Sequence, residues 1–409
     1  MNIVLEPGAA ALLDELHRAG FGAYAVGGCV RDSLLGLAPH DWDLCTAARP
    51  GQVMELFGED RCIPTGLQHG TVTVKRDGKL YEITTFRTEG RYSDGRHPDS
   101  VAFVPDLRED LARRDFTINA MAYSAEEGLC DPFGGREDLA RGVVRAVGEP
   151  LRRFGEDALR ILRLYRFAAR FGFAIDEATE AAAKQLASHL DCVSAERIEE
   201  ELNKLLAAPQ PGAYLEPEVL AFVLPELPPE ELTKARRRID ALPAGTEQVS
   251  ARWAALLLPL GETGARKALK RLKCSNARID GAAALVRECG EKTPDALDKC
   301  DLRLQAKRLL GKYDLHTVQQ LTALWTALAP EEKASFDALR AEAEALTAQG
   351  VCCRISQLAV NGRDLMAAGA APGPGLRRVL EALLEEVVTG RLPNEKTELL
   401  AFAAGFSAS

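Results

Sequence analysis

Two hydrophobic periods run along this chain, and the change between them falls near Arg152. Before it, helical spacing over residues 8–19 is stopped by Gly20 and followed by a short strand, Ala23–Val26. A Gly27-Gly28 turn leads to a short helix from Arg31 to Leu35, closed by Gly36. A strand is expected over 41–45 and a helix over 53–57. Two β-rich runs then follow, 70–74 and 79–87, joined by the turn Arg76-Asp77-Gly78. Residues 88–100 have loop composition, 110–120 read as the approach to a helix, 131–135 as a tight turn and 143–147 as a last strand. From Arg152 onward the spacing is almost wholly helical. One helix is expected over 154–170, a helical region over 176–206, and further helices over 331–348 and 375–389. Proline-rich boundaries stand at 209–212 and 225–231.

The alternation over 41–45 carries the first hint of chemistry. In a strand, Asp41 and Asp43 point to one face, with Trp42 and Leu44 on the other. Two carboxylates that close repel unless a cation neutralises them or one is protonated. Hard cations such as Mg2+ take oxygen ligands and are commonly held by one or two carboxylates plus substrate phosphates. Upstream, the Gly27-Gly28 turn lets backbone N–H groups approach a phosphate, with Arg31 as a planar charged donor. A phosphate cradle followed by Asp-x-Asp reads as phosphoryl or nucleotidyl transfer. Glu82, on the second β-rich run, is a candidate third carboxylate or an ordinary exposed strand residue. The loop 88–100 is either a mobile lid over a nucleotide or a plain connector.

Charge adds two further candidates. Asp157, Arg160, Arg163 and Arg166 recur every three residues, which places Asp157 beside Arg160 on a continuous helix. Arginines 152, 153, 160, 163, 166 and 170 face only Glu156 and Asp157 locally, an excess that calls for an anionic partner. Farther on, Lys267, Lys270, Arg271 and Lys273 fall largely on one helix face. In a chain of net charge −9 they form the best candidate for a nucleic-acid backbone contact, against the alternative of a solvated face. Ten scattered cysteines without a Cys-x-x-Cys pair argue against zinc and suggest reduced thiols. No signal peptide and no apolar run of about 18 residues is visible, so a soluble, cytoplasmic protein without membrane association is expected.

Five motifs in order carry a resemblance. They are Gly27-Gly28-x-x-Arg31-Asp32, Asp41-x-Asp43, Glu82 in Glu-Ile-Thr-Thr-Phe-Arg, Arg113-Arg114-Asp115-Phe116-Thr117-Ile118-Asn119-Ala120, and Glu156-Asp157-x-x-Arg160. Together they resemble the bacterial class II tRNA nucleotidyltransferases, the CCA-adding enzymes related to bacterial poly(A) polymerases. Val360-Asn361-Gly362 with Asp364-Leu365 and the final Asn394-Glu395-Lys396 look like the tail of the long members. Trp42 departs from the aliphatic residue expected there.

The resemblance implies an α+β fold: a polymerase-β-like nucleotidyltransferase head with a mixed sheet over 1–140, then an all-α neck over 141–208, body over 209–330 and tail over 331–409. It implies addition of the 3′-terminal CCA to the tRNA acceptor end from CTP and ATP. Asp41 and Asp43 would hold two Mg2+ ions, with Glu82 as a supporting catalytic residue. Gly27, Gly28, Arg31, Arg114, Asp115 and Asn119 would bind the nucleotide, Asp157 and Arg160 would select its base, and Arg163 and Arg166 would complete the pocket. Body and tail would bind tRNA, and no obligate protein partner is implied. The alternatives are a poly(A) polymerase, an enzyme adding only CC or only A, and an inactive RNA-binding protein that keeps the fold. The uninterrupted loop 88–100 speaks against the CC-only form.

Overall fold

A computed structural model describes residues 3–90, 101–291 and 301–406. Its contacts divide the chain into two units, residues 1–229 with 271–273, and residues 230–270 with 274–409. The expected four-part division is finer than this, and its boundary at 208/209 falls inside the first unit.

The first unit is built on a mixed seven-stranded sheet. Helix α1 (Pro7–Arg18) precedes β1 (Ala23–Val26), α2 (Gly28–Leu34), β2 (Leu44–Thr46) and α3 (Pro50–Phe57). Strands β3 (Cys62–Gly66), β4 (Thr71–Arg76) and β5 (Lys79–Thr85) follow. A separate hairpin pairs β6 (Arg87–Glu89) with β7 (Val101–Phe103). After α4 (Leu107–Ala112) come β8 (Ala122–Ser124), β9 (Gly128–Cys130) and α5 (Gly135–Arg141). The sheet order is β3-β4-β5-β2-β1-β8-β9, and only β2 and β5 run parallel. Every residue of β1 is buried, so this strand forms the spine of the sheet. One face packs Tyr24, Val26, Cys45 and Ala122 against Phe86, Leu111, Ala120 and Val147. Burial alternates along β5, where Tyr81, Ile83 and Thr85 point inward and Glu82 outward.

Several expectations need correction. The strand expected over 41–45 begins only at Leu44. Asp41, Trp42 and Asp43 form its approach, yet still alternate exposed, buried, exposed, so the two carboxylates do share a face. Strands β8 and β9 were not visible in the hydrophobic pattern, because three-residue strands are too short to display a period. The expected strand 143–147 shrinks to β10 (Val143–Val144), which pairs in parallel with β11 (Ala174–Ile175) outside the main sheet.

The helix expected over 154–170 is two helices, α6 (Pro150–Glu156) and α7 (Leu159–Phe171). Asp157 sits between them in an extended conformation, φ −147° and ψ 106°. Its carboxylate accepts from the Leu159 N–H at 3.1 Å and its carbonyl from the Arg160 N–H at 3.0 Å, which starts a new helix and ends the old one. Helices α8 (Glu177–Gln185) and α9 (Ala195–Leu206) complete the support, α8 against α6 and α9 against α7.

The second unit is helical. Its C-terminal part packs around Leu365, Leu383 and Leu399. Asn361 caps the helix Gly362–Ala367, and Lys396 pairs with Asp364 at 2.5 Å, tying together the two tail motifs noted in the sequence.

Candidate functional site

A cavity of about 460 Å³ opens in the first unit where β1, α2, the segment after α4 and α7 converge. All ten residues singled out as nucleotide contacts line it: Gly27, Gly28, Arg31, Arg114, Asp115, Asn119, Asp157, Arg160, Arg163 and Arg166. Asp43 also lines it, together with Arg113, Leu159, Phe167, Arg170 and Arg197. Eight arginines therefore face three carboxylates among the described lining residues, and such a wall suits a polyanion.

The cradle starts at Gly27, whose φ of +77° is left-handed territory. A Cβ there would lie 2.9 Å from Arg114 Nη1, so the turn passes directly over that guanidinium. Arg114 donates to Asp110 at 3.4 Å, while its buried Nε has no hydrogen-bond partner among the described residues. Burial works against its charge, but Asp110 and then Asp43 outweigh it, and its pKa is raised. Arg31 donates to Asp32 at 2.8 Å and to Asn119, and its guanidinium lies 5.2 Å from the Phe167 ring centre and 4.9 Å from that of Phe171. Asn119 in turn donates to Asp115 at 3.0 Å, and Arg163 grips the same carboxylate at 2.5 and 2.8 Å. Burial alone would raise the Asp115 pKa, yet Arg163, Asn119 and Arg160 hold it well below the usual carboxylate range.

Asp43 keeps solvent contact but sits at the floor of a crowded concavity. Loss of hydration, followed by the charges of Glu82 and Asp41, pushes its pKa up. Glu82 is one residue before Ile83, the partner of Leu44 in the parallel β2–β5 pair, so it stands across from Asp43. Among the described residues no three His, Cys, Asp or Glu side chains converge as a ready-made metal cluster. Asp41 and Asp43 are the two carboxylates that share a face, and Glu82 is an electrostatic neighbour of Asp43. Hard oxygen donors and an Asp43 whose ionisation is disfavoured by other carboxylates fit a divalent cation, which would relieve that repulsion.

Three expectations about side chains change. Asp157 and Arg160 do not pair with each other. Arg160 donates to Glu156 at 2.7 Å and to the carbonyls of Arg153 and Arg113, while Asp157 is gripped by Arg197 at 2.8 and 3.3 Å. The helix break between α6 and α7 causes this, because it takes Asp157 off the helical row. The local arginine excess is also met from other elements: Arg163 by Asp115, Arg166 by Glu201 and Arg170 by Asp32. Finally, Arg271 is held by Glu226 and the Val223 carbonyl, and Lys273 by Glu196. Lys273 also lies past the end of the helix Gly261–Arg271, at φ +57°. Lys267 and Lys270 are exposed on that helix.

Sequence reading missed Arg197 and Phe167. Arg197 lies 37 residues beyond Arg160 with nothing local to single it out, whereas Phe167 reads as ordinary helix core. The proposed lid falls mostly on residues 91–100, outside the described residues.

Family profiles match successive parts of the chain. The Poly A polymerase head domain matches residues 23–145, the RNA and SrmB-binding site of polymerase A residues 172–228, and tRNA nucleotidyltransferase domain 2 residues 245–403. The CCA-adding enzyme of Limosilactobacillus fermentum is 38% identical over 408 residues, spanning 96% of this chain and 95% of its own. That of Geobacillus stearothermophilus is 37% identical over 404 residues, spanning 96% and 95%. The crystal structure of the Bacillus stearothermophilus CCA-adding enzyme in complex with CTP aligns with a TM-score of 0.80 at 33% identity, covering 99% of this chain and 98% of that one. Among the described residues no helix is long and apolar enough to cross a membrane.

Proposed function

The chain belongs to the family of CCA-adding enzymes, and on that premise we propose that it adds the 3′-terminal CCA to tRNA from CTP and ATP without a nucleic-acid template. The observation that carries this reading is the arginine-walled cavity that gathers Asp43, the Gly27-Gly28 turn, Asp157 and Arg160. In each addition the 3′ oxygen of the tRNA attacks the α-phosphorus of the nucleotide. A new O–P bond forms, the bond from the α-phosphorus to the bridging oxygen breaks, and pyrophosphate leaves while the hydroxyl gives up its proton.

The chain's own residues divide the work. Arg31 and Arg114 bind the triphosphate, and the Gly27-Gly28 backbone approaches it closely. Asp115 holds Arg163 and Asn119 in place. Asp157, an acceptor only, meets the exocyclic amine shared by cytosine and adenine, and Arg160 donates to the neighbouring ring nitrogen or carbonyl. Uracil and guanine offer the opposite pattern on that edge and are rejected. Asp41 and Asp43 would hold Mg2+, two ions by the family resemblance, with Glu82 alongside. Bound there, Mg2+ supplies acidification of the attacking hydroxyl and neutralisation of the phosphate charge.

The head and neck would then carry nucleotide binding, and the body and tail would bind tRNA. The reading is tested by following CTP incorporation into tRNA in Mg2+ for wild type and Asp41→Ala. We expect incorporation to be abolished by Asp41→Ala while tRNA binding is kept. Equal turnover by the two proteins would overturn the assignment of the metal pair.

A further inference from the structure

Arg197 has no role in the mechanism above, yet it touches the residue on which base choice depends. It stands on the first turn of α9. Its two terminal nitrogens meet the two carboxylate oxygens of Asp157 one to one, Nη2 to Oδ2 at 2.8 Å and Nη1 to Oδ1 at 3.3 Å. Oδ1 also accepts from the Leu159 N–H at 3.1 Å. Both partners are largely withdrawn from solvent, with side-chain exposures of 22% and 16%. One turn farther along α9, Glu201 holds Arg166, so the helix grips the cavity wall at two points.

A carboxylate offers about four lone-pair sites. Among the described residues three of them are occupied, which leaves the group one acceptor direction. Asp157 itself lies in an extended conformation between two helices, and the bond from the Arg160 N–H to its carbonyl at 3.0 Å fixes its backbone but not the plane of its carboxylate. The forked pair therefore sets the orientation of the carboxylate. A single ammonium would neutralise the charge without fixing the plane.

We propose that Arg197 is a positioning residue for base selection, holding the Asp157 carboxylate so that its remaining acceptor direction faces the amine of the incoming base. The inference rests on the reading of Asp157 as a base selector. Arg197 lines the cavity as well, but its donors toward Asp157 are already engaged, and its role passes through that carboxylate.

The test measures kcat/KM for CTP, ATP, UTP and GTP on one tRNA primer with wild type, Asp157→Ala, Arg197→Ala and Arg197→Lys. With the fork lost, the ratio of CTP to UTP is expected to fall about ten- to a hundred-fold, the equivalent of a charge-assisted hydrogen-bond pair. Arg197→Lys should recover part of that ratio. The double variant Asp157→Ala/Arg197→Ala should be no less selective than Asp157→Ala alone. If Asp157→Ala collapses the ratio while a folded Arg197→Ala or Arg197→Lys leaves it intact, the positioning role is overturned and the base-selector reading stands. If all four nucleotides slow equally in Arg197→Ala, Arg197 is a general phosphate or structural contact and the inference is again wrong. If Asp157→Ala leaves the ratio intact, the base-selector reading itself fails. Should Arg197→Ala fail to fold, Arg197→Lys decides alone, since an unchanged ratio in that variant overturns the proposal.

Discussion

At Asp115 burial and charge pull in opposite directions, and charge prevails. The carboxyl is buried, yet Arg163 and Asn119 keep it ionised with a lowered pKa. A group whose folded pKa is depressed stabilises the fold fully above its unfolded value, about 3.9, and loses that contribution as pH falls below it. Asp115→Asn should therefore cost about 2 kcal/mol at neutral pH, since Arg163 loses its charged partner and is itself only partly exposed to water. Thermal melts from pH 7 to pH 2.5 should show the gap between variant and wild type closing on the acid side. A gap that stays constant would contradict the ion pair as its source. At this scale the sequence was informative about which residues gather but not about which ones pair. The motifs bring ten residues to one cavity, whereas the partners of Arg163, Arg166 and Arg170 come from Asp115, Glu201 and Asp32, far away in sequence. Spacing within one helix cannot foresee such partners.

At the scale of elements, the break between α6 and α7 decides how the site is built. The period of three from Asp157 to Arg166 suggested one uninterrupted helix, but two signals opposed it: Gly155 just ahead of that row, and an aspartate two residues ahead of an apolar run. The turn over 131–135 was legible, and Asp131 closes it by accepting from the Gly135 and Arg136 N–H groups at 2.7 and 2.9 Å. What stayed hidden is why glycine occupies position 135. A Cβ there would lie 2.1 Å from the Thr117 carbonyl, at the base of the short turn Thr117–Asn119 that presents Asn119 to Arg31 and Asp115. Gly135→Ala should destabilise the protein by about 1–3 kcal/mol. It should also raise KM for nucleotide more than it lowers kcat, because the cradle shifts while the carboxylates stay. Melting and steady-state kinetics check both effects, and an unchanged KM in a destabilised variant would separate Asn119 from the turn beneath it.

For the whole molecule, the α+β head and helical remainder follow from the change in hydrophobic period, and the fold agrees with the aligned CCA-adding enzyme. Surface charge was harder to read, because a basic run says nothing about which acids fold back onto it. With Arg271 and Lys273 tied to Glu226 and Glu196, the exposed Lys267 and Lys270 are the better candidates for tRNA phosphates. Replacing both with alanine should reduce the slope of log affinity for tRNA against log salt by about 1–2, with nucleotide KM unchanged. An unaltered slope would return that helix to the role of a solvated face. The central claim rests on what the enzyme makes. The deciding measurement supplies labelled CTP and ATP, with Mg2+, to a tRNA lacking its last three nucleotides and sequences the product. A single CCA on each tRNA is the expected result. A long A tail would identify a poly(A) polymerase, a stop after CC or a lone A would identify a split-function enzyme, and an unextended tRNA would leave only an RNA-binding protein that keeps the fold.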